Sequence, residues 1–167
     1  MNIFVTHTCP EICAQSLDNK RMVKMVLETA QILSTAIFIN NPMGNYSYIY
    51  KPTHLKHPCT LWASLTSSNW QWLLKHFISL CHEYTWRYKK THASYKILPY
   101  LTSYKEMIKE GPLTPFANCT RAEALKIDFK HMEDTHEAYR QYLSRKWQND
   151  KHPPLWTHRN TPIWYKI

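Results

Sequence analysis

Glycine is nearly absent from this chain: Gly44 and Gly111 are the only two in 167 residues. With so few, neither a phosphate-cradling P-loop nor a dinucleotide fingerprint can be written, and no nucleophile elbow is present. Acidic residues are also scarce, 12 Asp and Glu against 21 Lys and Arg, which leaves a formal charge of +9. The excess is spread along the chain, so it predicts a basic surface and not a basic arm. With 14% aromatic residues, seven of them Trp, that surface points to a polyanionic partner with faces to stack on, nucleic acid before membrane. Five cysteines, Cys9, Cys13, Cys59, Cys81 and Cys119, are an odd number without a secretory leader. They predict free thiols, a reducing compartment and a cytoplasmic site of action. An uninterrupted apolar run is missing too: Lys24, Glu28 and Gln31 break the stretch Met22 to Ile39, so no membrane span is expected.

What is present centres on residues 20 to 35. Lys24, Glu28, Gln31 and Thr35 follow one another at helical spacing, while Met22, Val23, Val26, Leu27, Ala30, Leu33 and Ile37 fill most of the remaining circumference. Such a helix is expected to be mostly buried. Charged groups on it must then be paired or line a pocket, because unpaired burial costs several kcal/mol. The stripe reads as the floor of a site, although a plain Lys–Glu surface pair has the same spacing.

The length suits one domain with its own core. Residues 2 to 5 read as a short extended start. A capping box at Thr8 and Glu11, with Pro10 in the first turn, predicts a helix that is re-capped at Asp18 and runs to about Ile39. Residues 45 to 59 form a loop, and a helix starts near Pro58. A second long helix spans about Ser67 to Lys90, with Leu73, Phe77, Leu80, Cys81 and Tyr84 apolar and Asn69, His76 and Glu83 as a polar seam beside Arg87. Two such seams would border one cleft. Shorter helices are expected at 101–110 and 132–147, where Tyr139, Tyr142 and Trp147 read as core. The fold class is all-α: a compact helical bundle over residues 1–167, with an extended N-terminus and an irregular aromatic C-terminal tail.

Three groupings could carry chemistry. Lys24 with Glu28 suits imine formation, the amine attacking and the carboxylate moving protons; the same residues with Lys20 and Arg21 suit an anion clamp with Glu28 as base. His54, His57 and Cys59 are compatible with zinc, and Cys9 or Cys13 would complete a set. The spacing matches no recognised zinc pattern, so His54 and His57 are read as polar pocket or phosphate-contacting residues and no metal or cofactor is expected. Arg87, with Trp86 or Tyr88 near the end of the second long helix, suits a nucleic-acid backbone contact.

The order of elements resembles the small helical phage pyrimidine-dimer DNA glycosylases with AP-lyase activity. Glu28, in Lys24-Met-Val-Leu-Glu28, matches the place of that family's catalytic glutamate. Arg21 falls where the family has a histidine, and Gln31 where it has a DNA-binding arginine. Lys51-Pro-Thr53, the following long helix with Glu83 and Arg87, and the closing Pro162-Ile-Trp164-Tyr165-Lys166 look like the family's middle portion and aromatic, DNA-contacting tail. The family attacks the sugar C1′ with the α-amine of an N-terminal threonine, whereas this chain starts Met1-Asn2. The amine would have to be that of Met1, of a processed Asn2, or of Lys24. The strings Asp18-Asn-Lys20 to Gln31 and Lys51-Pro-Thr-His54 to Trp62 also resemble a group of uncharacterised phage and large-virus proteins, which implies host cytoplasm.

The expected function is therefore a monomeric, viral-type DNA glycosylase/AP lyase acting on a damaged or modified base. Lys24 and Glu28 are the catalytic candidates. Lys20, Arg21, Gln31, His54, His57, Asn69, His76, Glu83, Arg87 and Trp164 are the candidates for contact with nucleic acid. Two alternatives keep the pocket: a hydrolase or modifying enzyme acting on a free nucleotide or nucleoside, and a non-catalytic nucleotide or DNA binder.

Overall fold

The computed structural model describes residues 1–166, and among them helices dominate. They are α1 (Pro10–Ser16), α2 (Asn19–Asn40), α3 (Pro58–Leu65), α4 (Ser67–Tyr88), α5 (Leu98–Ser103) and α6 (Thr135–Gln148), with short 3₁₀ turns after α4 and α5. One antiparallel pair, β1 (Arg121–Ala122) with β2 (Ile127–Asp128), was not expected from the sequence. It pairs Arg121 with Asp128 and Ala122 with Ile127.

The two long helices lie against each other, α1 packs on α4, and α3 bridges α2 and α4. The apolar period of α2 explains its place: Met22, Met25, Val26, Ala30, Ile32, Leu33, Ala36 and Ile37 are all buried. By length and composition α2 could cross a membrane, yet most of its apolar window is buried inside this fold. Its outer side is less buried than the pattern suggested, because Val23 and Leu27 are exposed beside Lys24. On the facing helix Trp70, Leu73, Phe77 and Leu80 are fully buried, and the indole of Trp70 donates to the carbonyl of Leu33 at 3.3 Å.

Two predicted caps use other chemistry. Thr8 does not cap α1, whose N-cap is Cys9; its carbonyl instead accepts from the Trp72 indole at 2.7 Å. Asp18 stands at the N-cap of α2 as expected, but its carboxylate makes no capping bond. It accepts from the Trp147 indole at 2.7 Å and from Arg21 at 3.1 Å. A carboxylate offered two strong donors at fixed distance satisfies them before weaker backbone groups.

The start and the end of the chain are both tied to α6. Asn2 Oδ1 accepts from the amides of Ile3 and Phe4, the His136 ring donates to the carbonyl of Val5, and Arg140 Nε donates to that of Thr6. Phe4 sits at φ 46°, an uncommon conformation for a bulky residue. Its ring stacks on Tyr142 and meets Tyr139 edge-on. At the other end, Trp156, Trp164 and Tyr165 surround Trp147, so the tail is an ordered wrap.

His76 supplies a stability prediction. It is fully buried, its Nδ1 bonded to the Pro10 carbonyl at 2.9 Å and its Nε2 without a partner. Burial pushes its pKa down to about 4 from 6.5. The unfolded chain therefore takes up a proton that the fold refuses between these values. Stability that is complete above pH 6.5 should fall by about 3 kcal/mol as pH drops toward 4 and then level off. Urea titrations of wild type and His76→Gln across that range test this, and an equal slope in both would refute it.

Candidate active site

Glu28 lines a cavity of about 260 Å³ together with Met1, Asn2, Phe4, Lys20, Arg21, Lys24, Met25, Tyr142, Lys146 and Asp150. Three elements build it. The first three turns of α2 supply Lys20, Arg21, Lys24 and Glu28; the extended start supplies Met1 and Phe4; α6 and the residues just beyond it supply Tyr142, Lys146 and Asp150.

Two amines converge on the Glu28 carboxylate. The Met1 α-amine is 3.6 Å from Oε2 and Lys24 Nζ is 3.2 Å from Oε1. They differ in setting. The Lys24 side chain is 73% exposed and that of Glu28 only 13%. The Met1 side chain is 2% exposed although the residue as a whole is half-buried, so its accessible surface is on the main chain. Thr60 Oγ1 approaches its sulfur at 3.8 Å. A sunken thioether thus anchors the residue whose amine faces Glu28, whereas Lys24 reaches the carboxylate from solvent on a flexible stem.

The rest of the pocket is strongly cationic. The α-amine, Lys20, Arg21, Lys24 and Lys146 stand against the carboxylates of Glu28 and Asp150. Arg21 is held in place, donating to Asp18 at 3.1 Å and to Asp150 at 2.8 Å. Asp150 is held below the usual carboxylate range: burial works against this, but Arg21 and Lys20 outweigh it. Lys146 is pushed down by burial and by Arg21, Lys24 and Lys20, with Asp150 opposing. Its ammonium lies over the Tyr142 ring, 5.2 Å from the centroid. An unneutralised cluster of cations in a concave site is suited to a phosphodiester.

His57 does not line this pocket but lies within electrostatic reach of Glu28 and the α-amine. Burial, the α-amine and His54 lower its pKa, with Glu28 acting in the opposite direction. His54 is exposed on the preceding loop at φ 51°, bonded to Thr53. That loop is pinned to α2, since Thr35 Oγ1 donates to the Thr53 carbonyl and accepts from its amide. Gln31 is half-buried one turn beyond Glu28 and does not line the pocket.

The polar seam of α4 is a correction to the sequence reading. Asn69, His76, Glu83 and Arg87 are all buried and border no cleft shared with Glu28. Asn69 bonds Trp62 and Thr114, as a brace between α3, α4 and the following segment. Arg87 donates to Glu83, to the carbonyls of Gln15 and Leu17, and to Asn19, closing the end of α1. Glu83 also pairs with Arg159 of the tail. Seven-residue spacing brings polar groups to one face, and here an interior network meets that face instead of solvent. Trp164 stacks on Trp147 and lines two surface hollows of which Glu28 is not a part.

Residues 1–96 match the family described as pyrimidine dimer DNA glycosylase. The chain belongs to this family. No curated protein and no solved structure matches it. Membership makes DNA glycosylase chemistry the general function, with DNA as substrate. The matched segment contains Met1, Lys20, Arg21, Lys24, Glu28 and His57, while Tyr142, Lys146 and Asp150 lie beyond it. Sequence reasoning missed these three. Their four-residue spacing at the end of a helix was the available signal, but nothing local tied that face to α2.

Proposed function

We propose that this chain is a DNA glycosylase with lyase activity in which the N-terminal amine is the nucleophile and Glu28 manages the protons. The observation that carries the reading is the α-amine held 3.6 Å from Glu28 Oε2 in a cationic pocket. A lesion nucleotide must leave the stack to reach such a cavity. The amine nitrogen then bonds C1′, and the glycosidic C1′–N bond breaks with its electron pair passing to the base. Glu28 takes the proton from the attacking nitrogen and stabilises positive charge developing on the sugar. Opening of the sugar ring, in which O4′ takes the C1′–O4′ electron pair and the proton held by Glu28, leaves a protonated imine; Glu28 then takes a C2′ proton, and the 3′-phosphate departs with the C3′–O electron pair.

Lys20, Lys24 and Lys146 are the phosphate-gripping cations of this reading: Lys20 and Lys24 are exposed and each meets one carboxylate, whereas Arg21 is buried between Asp18 and Asp150. The Met1 side chain is buried and anchored whereas that of Lys24 is 73% exposed, so the α-amine is the better positioned of the two nucleophiles.

The test is borohydride trapping on a duplex carrying a thymine dimer or an abasic site, with peptide mapping of the adduct and the intact mass of the untreated chain. An adduct on the first residue, retained in Lys24→Gln, is the expected result. An adduct on Lys24, or none under conditions where the duplex is bound, overturns the assignment of the nucleophile.

A further inference from the structure

Cys59 and Cys119 are 60 residues apart in sequence, and their sulfur atoms lie 3.5 Å apart. A ring nitrogen of His57 completes the group: its ligand atom and the two sulfurs all lie within 4.8 Å of one another. We propose that His57, Cys59 and Cys119 bind one Zn²⁺ ion, a clasp joining the start of α3 to the segment that leads into β1. The family match ends at residue 96, so Cys119 lies outside the matched segment and the clasp is a feature of this chain beyond it.

The geometry fits. Tetrahedral Zn²⁺ with Zn–S near 2.3 Å and Zn–N near 2.0 Å sets its donor atoms roughly 3.6–3.8 Å apart. A 3.5 Å sulfur pair needs little adjustment to reach this. A disulfide needs the same two atoms at about 2.05 Å, a much larger closure. Two thiolates and an imidazole are the soft and borderline donors that Zn²⁺ takes, and they leave a fourth position for water.

The donors are also anchored. The Cys119 amide donates to Tyr139 Oη at 3.1 Å, and its carbonyl accepts from Asn2 Nδ2 at 3.2 Å. Tyr139 is itself fixed by donating to the Ala117 carbonyl at 2.9 Å. Supports of this kind orient metal ligands in known sites. The lone pair of His57 Nδ1 accepts from the Cys59 amide at 3.2 Å, and ligation through either ring nitrogen exchanges that bond for the one to the ion. Cys59 is buried, whereas His57 and Cys119 are partly exposed, which gives an ion a way in. The candidates considered from sequence to complete this group, Cys9 and Cys13, lie elsewhere: Cys13 points its sulfur to the His7 carbonyl at 3.0 Å. Binding releases the two thiol protons to solvent, leaving a neutral complex of Zn²⁺ with two thiolates.

The full-length chain, stripped with a chelator and kept reduced, is titrated with Co²⁺ alone and then with Zn²⁺. Thiolate-to-cobalt charge-transfer absorption reaching its end point at one Co²⁺ per chain, and abolished by Zn²⁺, is the expected result. Cys119→Ser and His57→Asn should each weaken binding at least about a hundredfold, and Cys9→Ser should not. Should a variant fail to fold, alkylation of the wild type gives the same answer: Zn²⁺ should shield Cys59 and Cys119 but not Cys9. Absence of the absorption in the wild type, its loss in Cys9→Ser, its persistence in folded Cys119→Ser, or Zn²⁺-independent alkylation of Cys119 would each overturn the proposal. None of these readouts uses DNA, so the clasp stands or falls apart from the amine chemistry.

Discussion

Glu28→Gln should lower single-turnover cleavage of a dimer-bearing duplex at least about a hundredfold while leaving the fold and the affinity for that duplex nearly unchanged. The substitution keeps the side chain's shape and removes its charge and its capacity to take up a proton. Its partners are an exposed lysine and the α-amine, and pairs reached by solvent contribute little to stability, about 1 kcal/mol or less. Affinity should hold or rise slightly, since a negative charge leaves a pocket built for phosphates. Rate and binding are therefore expected to separate. Activity within tenfold of wild type would remove Glu28 from the chemistry, and parallel loss of binding and rate would make it a docking group.

The largest stability effect is expected at Arg87. Its guanidinium is buried and donates to Glu83, Asn19 and two carbonyls at the end of α1. Arg87→Met keeps much of the packing but orphans those carbonyls and leaves Glu83 with Arg159 alone. Breaking a buried pair from one side costs about 3–5 kcal/mol, which denaturant unfolding would register directly. Glu83→Gln with Arg87→Met should recover part of that loss, because a buried carboxylate left with one of its two cationic partners is then gone. A cost below about 1 kcal/mol for Arg87→Met alone would mean that water satisfies those groups and the network is not a structural tie.

The periods of α2 and α4 were readable because an apolar stripe over twenty residues admits few other conformations, and both helices fall within a residue or two of their expected ends. What faces a stripe was not readable. The seam of Asn69, His76, Glu83 and Arg87 has the spacing of a cleft lining, and only the positions of α1, Thr114 and Arg159 show it to be interior. Glu28 was legible as a polar group on a core helix. The choice between the α-amine and Lys24 was not, since it turns on which amine is anchored and which is solvated. Lys146 and Asp150 join the site by folding across more than a hundred residues, and no local pattern encodes that meeting.

The same long reach has a consequence in time. Arg21 bonds to Asp150 and Asp18 to Trp147, each across 129 residues. Neither pair can close before α6 and the residues just beyond it have been made and have folded back onto α2. At synthesis rates of about 5–20 residues per second, Arg21 waits on the order of ten seconds for Asp150. The pocket around Glu28 is thus completed by α6, long after the helix that carries its carboxylate has been made.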